Sequence, residues 1–147
     1  MSKIVQALLT GIFITFILDF FIFLGIKQNY IDFYEIDLYY NILFADHQNI
    51  YLFVISSIIL GFMVIYIKNN KLNALIVSFL FLLSLLTLFH DIGHTLGKDI
   101  LMSKNITLKS AKYIYHGDIY YEGRTKITFY DNELQKMIIL NKKDLIK

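Results

Sequence analysis

From Leu72 to Phe89 the chain runs for eighteen residues without a charged side chain and then reads His-Asp-Ile-Gly-His. A run of that length is what an α-helix needs to cross the hydrocarbon core of a bilayer. It also places His90, Asp91 and His94 where the apolar stretch stops. Two more apolar runs precede it. Ile4–Ile26 is flanked by Lys3 and Lys27 and holds one charge, Asp19; Ile50–Ile67 holds none. Three such runs in 147 residues predict a small integral membrane protein with three transmembrane helices. The composition agrees, with 56% hydrophobic and 18% charged residues.

The first run carries a second pattern. Ala7, Gly11, Thr15 and Asp19 recur every four residues and so share one helix face. Small residues at that spacing let two helices approach closely, and Ser57 and Gly61 repeat the spacing in the second run. These five small residues are the expected helix-packing positions. Asp19 lies seven residues before Ile26, about 10 Å below the end of the first span at the helical rise. A carboxylate at that depth is costly and points to function.

The second and third runs are joined by the short polar link Lys68–Asn73, so they are expected to be antiparallel neighbours. The start of one and the end of the other then share a side, which brings Asp46 and His47 toward His90, Asp91 and His94. Imidazoles at i and i+4 can grip one ion, and His47, Asp46 or Asp91 could complete the set. The five residues are therefore candidate ligands for a divalent transition metal, with a haem between His47 and His90 as an alternative. The short string FHDIGH also resembles the paired ligands of HD-superfamily phosphohydrolases, a likeness that implies His90 and Asp91 as metal ligands. In that family the pair sits in a soluble helical domain; here it follows an uncharged run.

Residues 27–49, between the first two runs, are aromatic and acidic with no clean period. Tyr30, Tyr34, Tyr39 and Tyr40 suit a headgroup region, and a short helix lying in the interface is expected. Lys3, Lys68 and Lys71 mark one side of the membrane, while Lys27, Lys98, Lys104 and Lys109 mark the other. The first helix usually sets the orientation. This predicts a bacterial inner-membrane protein with a cytoplasmic amino terminus and the C-terminal unit on the opposite side.

After residue 97 the composition changes. Ten basic residues face six acidic ones, and the pattern turns to strands at Ile106–Lys109, Ala111–His116, Ile119–Glu122, Thr125–Tyr130 and Leu134–Leu140. Turn signals separate them at Gly117-Asp118, Gly123 and Asp131-Asn132. The domains expected are thus a helical unit at 1–97 and a small antiparallel β unit at 98–147. Fifty residues make a thin core, so the β unit should lean on the membrane surface or on a protein partner, in a hetero-complex or a homo-oligomer. No stacking-aromatic signature argues for nucleic acid.

There is no cysteine, which excludes disulfides and thiol catalysis. No phosphate loop, dinucleotide fingerprint or HExxH occurs, and no serine has an evident base. The sequence therefore favours a non-enzymatic role. The function expected first is an accessory subunit or assembly factor of an inner-membrane complex. The alternatives are a metal-binding membrane protein using the His/Asp cluster, and a proton- or ion-coupled element centred on Asp19.

Overall fold

The computed structural model describes residues 2–146. A helical N-terminal part is followed by a C-terminal antiparallel sheet. The helices are α1 (Lys3–Ile26), α2 (Tyr40–His47), α3 (Ile50–Tyr66), α4 (Asn70–Leu86) and α5 (His90–Leu101). The strands are β1 (Ser103–Ser110), β2 (Ile114–Glu122), β3 (Lys126–Asp131), β4 (Lys136–Asn141) and β5 (Leu145–Ile146).

Helix α1 is the spine. Ser2 caps its start by accepting from the Val5 amide, and Lys27–Ile31 continue it as a wider π-turn. The resulting helix, Lys3–Ile31, is the only straight one among the described residues that is long and apolar enough to cross a membrane. Helices α3 and α4 have 17 residues each. Each is one residue short of an eighteen-residue span, and each continues across a sharp bend into a shorter helix, α2 with α3 at 85° and α4 with α5 at 84°. Three transmembrane helices were expected; the chain has one straight rod of that kind and two bent pairs.

The elbows have chemical causes. Asn49 caps α3 at the first elbow by accepting two backbone amides on its side-chain oxygen, as Asn69 does for α4 at the α3–α4 link. The predicted continuation of the third run into His-Asp-Ile-Gly-His does not occur, because α4 ends at Leu86 and α5 starts afresh at His90. The carbonyls of Thr87 and Leu88 turn out of the helix and accept the Asn29 side-chain amide at 3.0 and 3.1 Å. Thr87 Oγ1 donates to the carbonyls of Ser84 and Phe21. A buried break of this kind is tolerable only when the freed backbone groups find partners.

Helices α3 and α4 are antiparallel but do not form the main pair. They lie on either side of α1, and they meet near their link, where the Asn73 side chain donates to the carbonyls of Val64 and Ile67. The α1–α3 contact is made backbone to backbone. A Cβ on Gly11 would stand 1.8 Å from the Ser57 carbonyl oxygen, and one on Gly61 would stand 1.9 Å from that of Ala7. Ala7, Thr15 and Ser57 are buried in the same seam. On the opposite side, Phe21 packs edge-on against Phe81 of α4.

The sheet has strand order β4-β3-β2-β1-β5 and bends into an open half-barrel around Ile119, Ile127 and Phe129. Its β1–β2 part corrects the sequence reading. Ala111–His116 and Ile119–Glu122 were expected as separate strands with a turn at Gly117-Asp118; Ile114–Glu122 is one strand that runs straight through. Gly117 is there for space, since a Cβ would meet the Tyr130 carbonyl oxygen at 1.8 Å. The turns at Gly123 and at Asp131-Asn132 are present, the latter closed by Asp131 accepting the Glu133 and Leu134 amides. The helical part extends to Leu101, past the boundary expected at residue 97. The two-residue β5 was not foreseen from the sequence.

These close approaches give a direct check. Gly117→Val should unfold the half-barrel, and Gly11→Val should separate α1 from α3, each costing about 1–3 kcal/mol or more because backbone rather than flexible side chain must move. Thermal unfolding in detergent measures the difference, with Gly123→Ala, whose Cβ would come no closer than 3.2 Å to its neighbours, as the milder comparison.

Candidate functional site

The polar residues converge at one end of the bundle, where the end of α1, α2, α5 and the β2 strand meet. Phe23, Ile26, Tyr30, Ile31, Leu43, Leu101 and Tyr121 form the apolar floor. Helix α5 lies against the α1 extension through two glycines. A Cβ on Gly93 would strike the Thr87 carbonyl, and one on Gly97 would strike the Tyr30 side chain. This close seat fixes the position of His90 and His94.

Those two imidazoles stand 5.6 Å apart, centroid to centroid, with Phe33 packed against both at 5.3 and 5.1 Å. The His94 Nε2 is 3.1 Å from the Tyr34 hydroxyl. Tyr34 packs edge-on against Tyr120 at 4.5 Å, and the Tyr30 hydroxyl donates to the Tyr120 carbonyl at 2.9 Å. The β unit is therefore tied to the helices by a chain of aromatic contacts that runs His94, Tyr34, Tyr120.

A second tie lies across the floor. Arg124 Nε donates to both carboxylate oxygens of Asp46, at 2.9 and 3.1 Å. The adjacent His47 ring packs on Tyr121, with centroids 5.6 Å apart. A β-bulge places Tyr121 there. Ile119 pairs with Phe129 and faces the half-barrel, but the register shifts before Tyr121, which pairs with Thr128. The extra residue turns Tyr121 out of the barrel and into the helical core.

The five candidate metal ligands are thus divided. His90 and His94 remain paired at the start of α5, while Asp46 and His47 are engaged by Arg124 and Tyr121. Among the described residues no three of His, Asp or Glu gather closely enough to hold one metal ion. Asp91, in the first turn of α5, is exposed, and the neighbours of the two α5 imidazoles are Phe33 and Tyr34. Asp19 makes a third, separate group, accepting from Gln48 Nε2 at 3.0 Å. Asn29, Gln48, Tyr121 and Arg124 escaped the sequence reading. Arg124 beside the predicted Gly123 turn offered the one available hint, a cation presented at a hairpin tip.

The electrostatics follow from burial and neighbours. Burial lowers the His47 pKa below 6.5, opposed by the charge on Asp46. Burial also lowers that of His94, with His90 and Lys98 adding to it and Asp91 opposing. The Arg124 hydrogen bonds hold Asp46 below the usual carboxylate value. Burial, then the Asp46 charge, pushes the Tyr121 phenol up. Both the His47 Nε2 and the Tyr121 hydroxyl are buried without a hydrogen-bond partner.

No family model, curated protein or solved structure matches the chain. What the end of the bundle can do is argued from its own geometry, which is that of an aromatic and ionic clasp between two structural units.

Two measurements test this clasp. Tyr121→Ala should cost about 3–5 kcal/mol, the usual loss for a buried ring, while Tyr121→Phe should be neutral or stabilising because the hydroxyl it removes has no partner. Unfolding monitored through the near-ultraviolet tyrosine signal separates the two. Acidification gives the other check. With native pKa values below 6.5 for His47 and His94, the unfolded chain takes up more protons, so stability falls as pH drops below 6.5 and levels off beneath the native values. Melting temperatures at pH 7.5 and pH 5 should differ, and the double variant His47→Gln, His94→Gln should flatten the dependence.

Proposed function

We propose that the chain is a small integral membrane protein that acts as an accessory subunit or assembly factor of a bacterial inner-membrane complex. The membrane reading is supported by the outer faces of α1, α3 and α4. Leu9, Phe13, Ile50, Leu52, Ile59, Leu75, Phe79 and Leu82 are all more than half exposed, and such a belt is far larger than water tolerates. At 1.5 Å per residue, α3 and α4 are each about 26 Å long, enough for a bilayer slightly thinner than average. Helices α2 and α5, turned by about a right angle, would lie along the headgroups. The amino-terminal flank of α1 favours a cytoplasmic amino terminus and a β unit on the other side.

The observation that carries the accessory role is the free edge of β4. This strand pairs with β3 over six consecutive residues without a bulge, and among the described residues no strand pairs with its other side. Ile139 on it is 66% exposed. Natural edges are usually blunted by proline, a bulge or several charges; here Lys136 is the one charge on the strand. A flat, apolar edge on a unit clasped firmly to the bundle suits the addition of a strand from a protein partner.

Alkaline carbonate should leave the protein in the membrane pellet. Ile139→Lys should leave its folding and its membrane retention unchanged while abolishing co-purification of the partner from native membranes. A wild-type protein that is monodisperse and partner-free in those membranes overturns the accessory reading.

A further inference from the structure

The bulge that turns Tyr121 outward also builds a wall. Tyr121 pairs with Thr128, and Thr128 pairs with Ile139, so the three stand in one row on the outer face of β2, β3 and β4. Between this row and the segment that leads into α2 lies a cavity of about 370 Å³. Ile36, Leu38 and Ile42 line it on the helical side, and Arg124, Thr125 and Lys126 line it at the β2–β3 hairpin tip. One wall is therefore apolar, and the hairpin tip adds two cations and a hydroxyl. Asp37 is the one acid on the lining, and it is exposed. Three of the lining groups have unused bonding capacity. The Tyr121 hydroxyl, on a side chain 4% exposed, is buried without a hydrogen-bond partner. A guanidinium has N–H donors on all three of its nitrogens; Asp46 takes Arg124 Nε and Nη2, and no group among the described residues takes Nη1. The Arg124 side chain is 70% exposed, so Asp46 orients it and leaves it open to a ligand. Lys126 makes no ion pair among the described residues.

We infer that this cavity holds the glycerophosphate end of a phospholipid, with the phosphate on Arg124 and Lys126 and the start of an acyl chain against Ile36, Leu38 and Ile42. Arg and Lys are the side chains that take phosphate, Arg through its planar fork and Lys as a point charge. Free phosphate would leave the apolar wall unused, and a plain hydrocarbon would leave the two cations unused; an amphiphile uses both. A cavity of this size lies within the range of small-molecule sites. The membrane reading puts α2 along the headgroups, because it turns by 85° from α3. The segment that leads into it is then at the level where lipid phosphates lie. A lipid seated there touches the helical part and the sheet together, and the Asp46–Arg124 pair gains a second use in aiming the guanidinium.

This inference rests on the membrane reading, and the test keeps the two apart. The delipidated full chain in detergent is titrated with dioleoyl phosphatidylglycerol, and bound lipid is counted by native mass spectrometry. One lipid should bind saturably. Lys126→Glu should weaken that binding about tenfold or more, the worth of a hydrogen bond to a charged group. Lys104→Glu, the same charge change on an exposed lysine outside the cavity, should leave it unchanged. Lys126 is exposed and lies off the β4 edge, so neither the fold nor the partner surface is disturbed. Dioleoylglycerol, with the same chains and no phosphate, should bind at least tenfold more weakly to the wild type, and glycerol phosphate alone should not bind at the same concentrations. A loss that is equal in the two lysine variants, or absent from both, overturns the site. So does dioleoylglycerol that binds as well as the phospholipid, or glycerol phosphate that binds as well without any chain. Release of the wild-type chain by alkaline carbonate would instead overturn the membrane reading beneath it.

Discussion

The contact between Gly11 and Gly61 sets the rest of the arrangement. Two helices whose backbones touch cannot slide or rotate without a collision. Helix α1 is thereby locked to α3, and its other side is left for α4. Because α1 continues as a π-turn to Ile31, it carries Asn29 and Tyr30 beyond the ends of its neighbours. Those two residues then organise the other end of the molecule: Asn29 holds the broken end of α4, and Tyr30 seats α5 and reaches the sheet.

Helix breaks in apolar surroundings are governed by hydrogen-bond accounting. Asn49 and Asn69 satisfy the starts of α3 and α4, and Asn29 and Thr87 satisfy the end of α4. Each break is answered by a nearby polar side chain, so the chain can turn by about a right angle twice. His47 packs on Tyr121 while His90 and His94 pack on each other, and no third ligand joins them among the described residues. A cluster that looks like a metal site along the sequence becomes two halves of a clasp, one aromatic and one ionic.

The β unit shows how one inserted residue couples two cores. Without the bulge before Tyr121, strict alternation would send that ring into the half-barrel beside Ile119. With it, Tyr121 joins the helical core, and Tyr120 meets Tyr34. A β unit of fifty residues with a thin interior gains a foundation in this way, and β4 remains an edge strand of its sheet.

What the sequence determined by itself is the part that depends on local period and composition: the apolar runs, the small-residue stripes on α1 and α3, the change to strands after the helices, and the turns at Gly123 and Asp131-Asn132. These are legible because a helix face and a strand face repeat at fixed short intervals. The tertiary structure decided the rest. It placed α1 between α3 and α4, bent the chain at Thr87, carried β2 straight through Gly117, and turned Tyr121 outward. In each case the deciding partner is far away in sequence: Ser57 for Gly11, Asn29 for Thr87, Tyr130 for Gly117, His47 for Tyr121. A glycine reads the same along the chain whether it makes a turn or makes room, and only the neighbour that occupies the room tells the two apart.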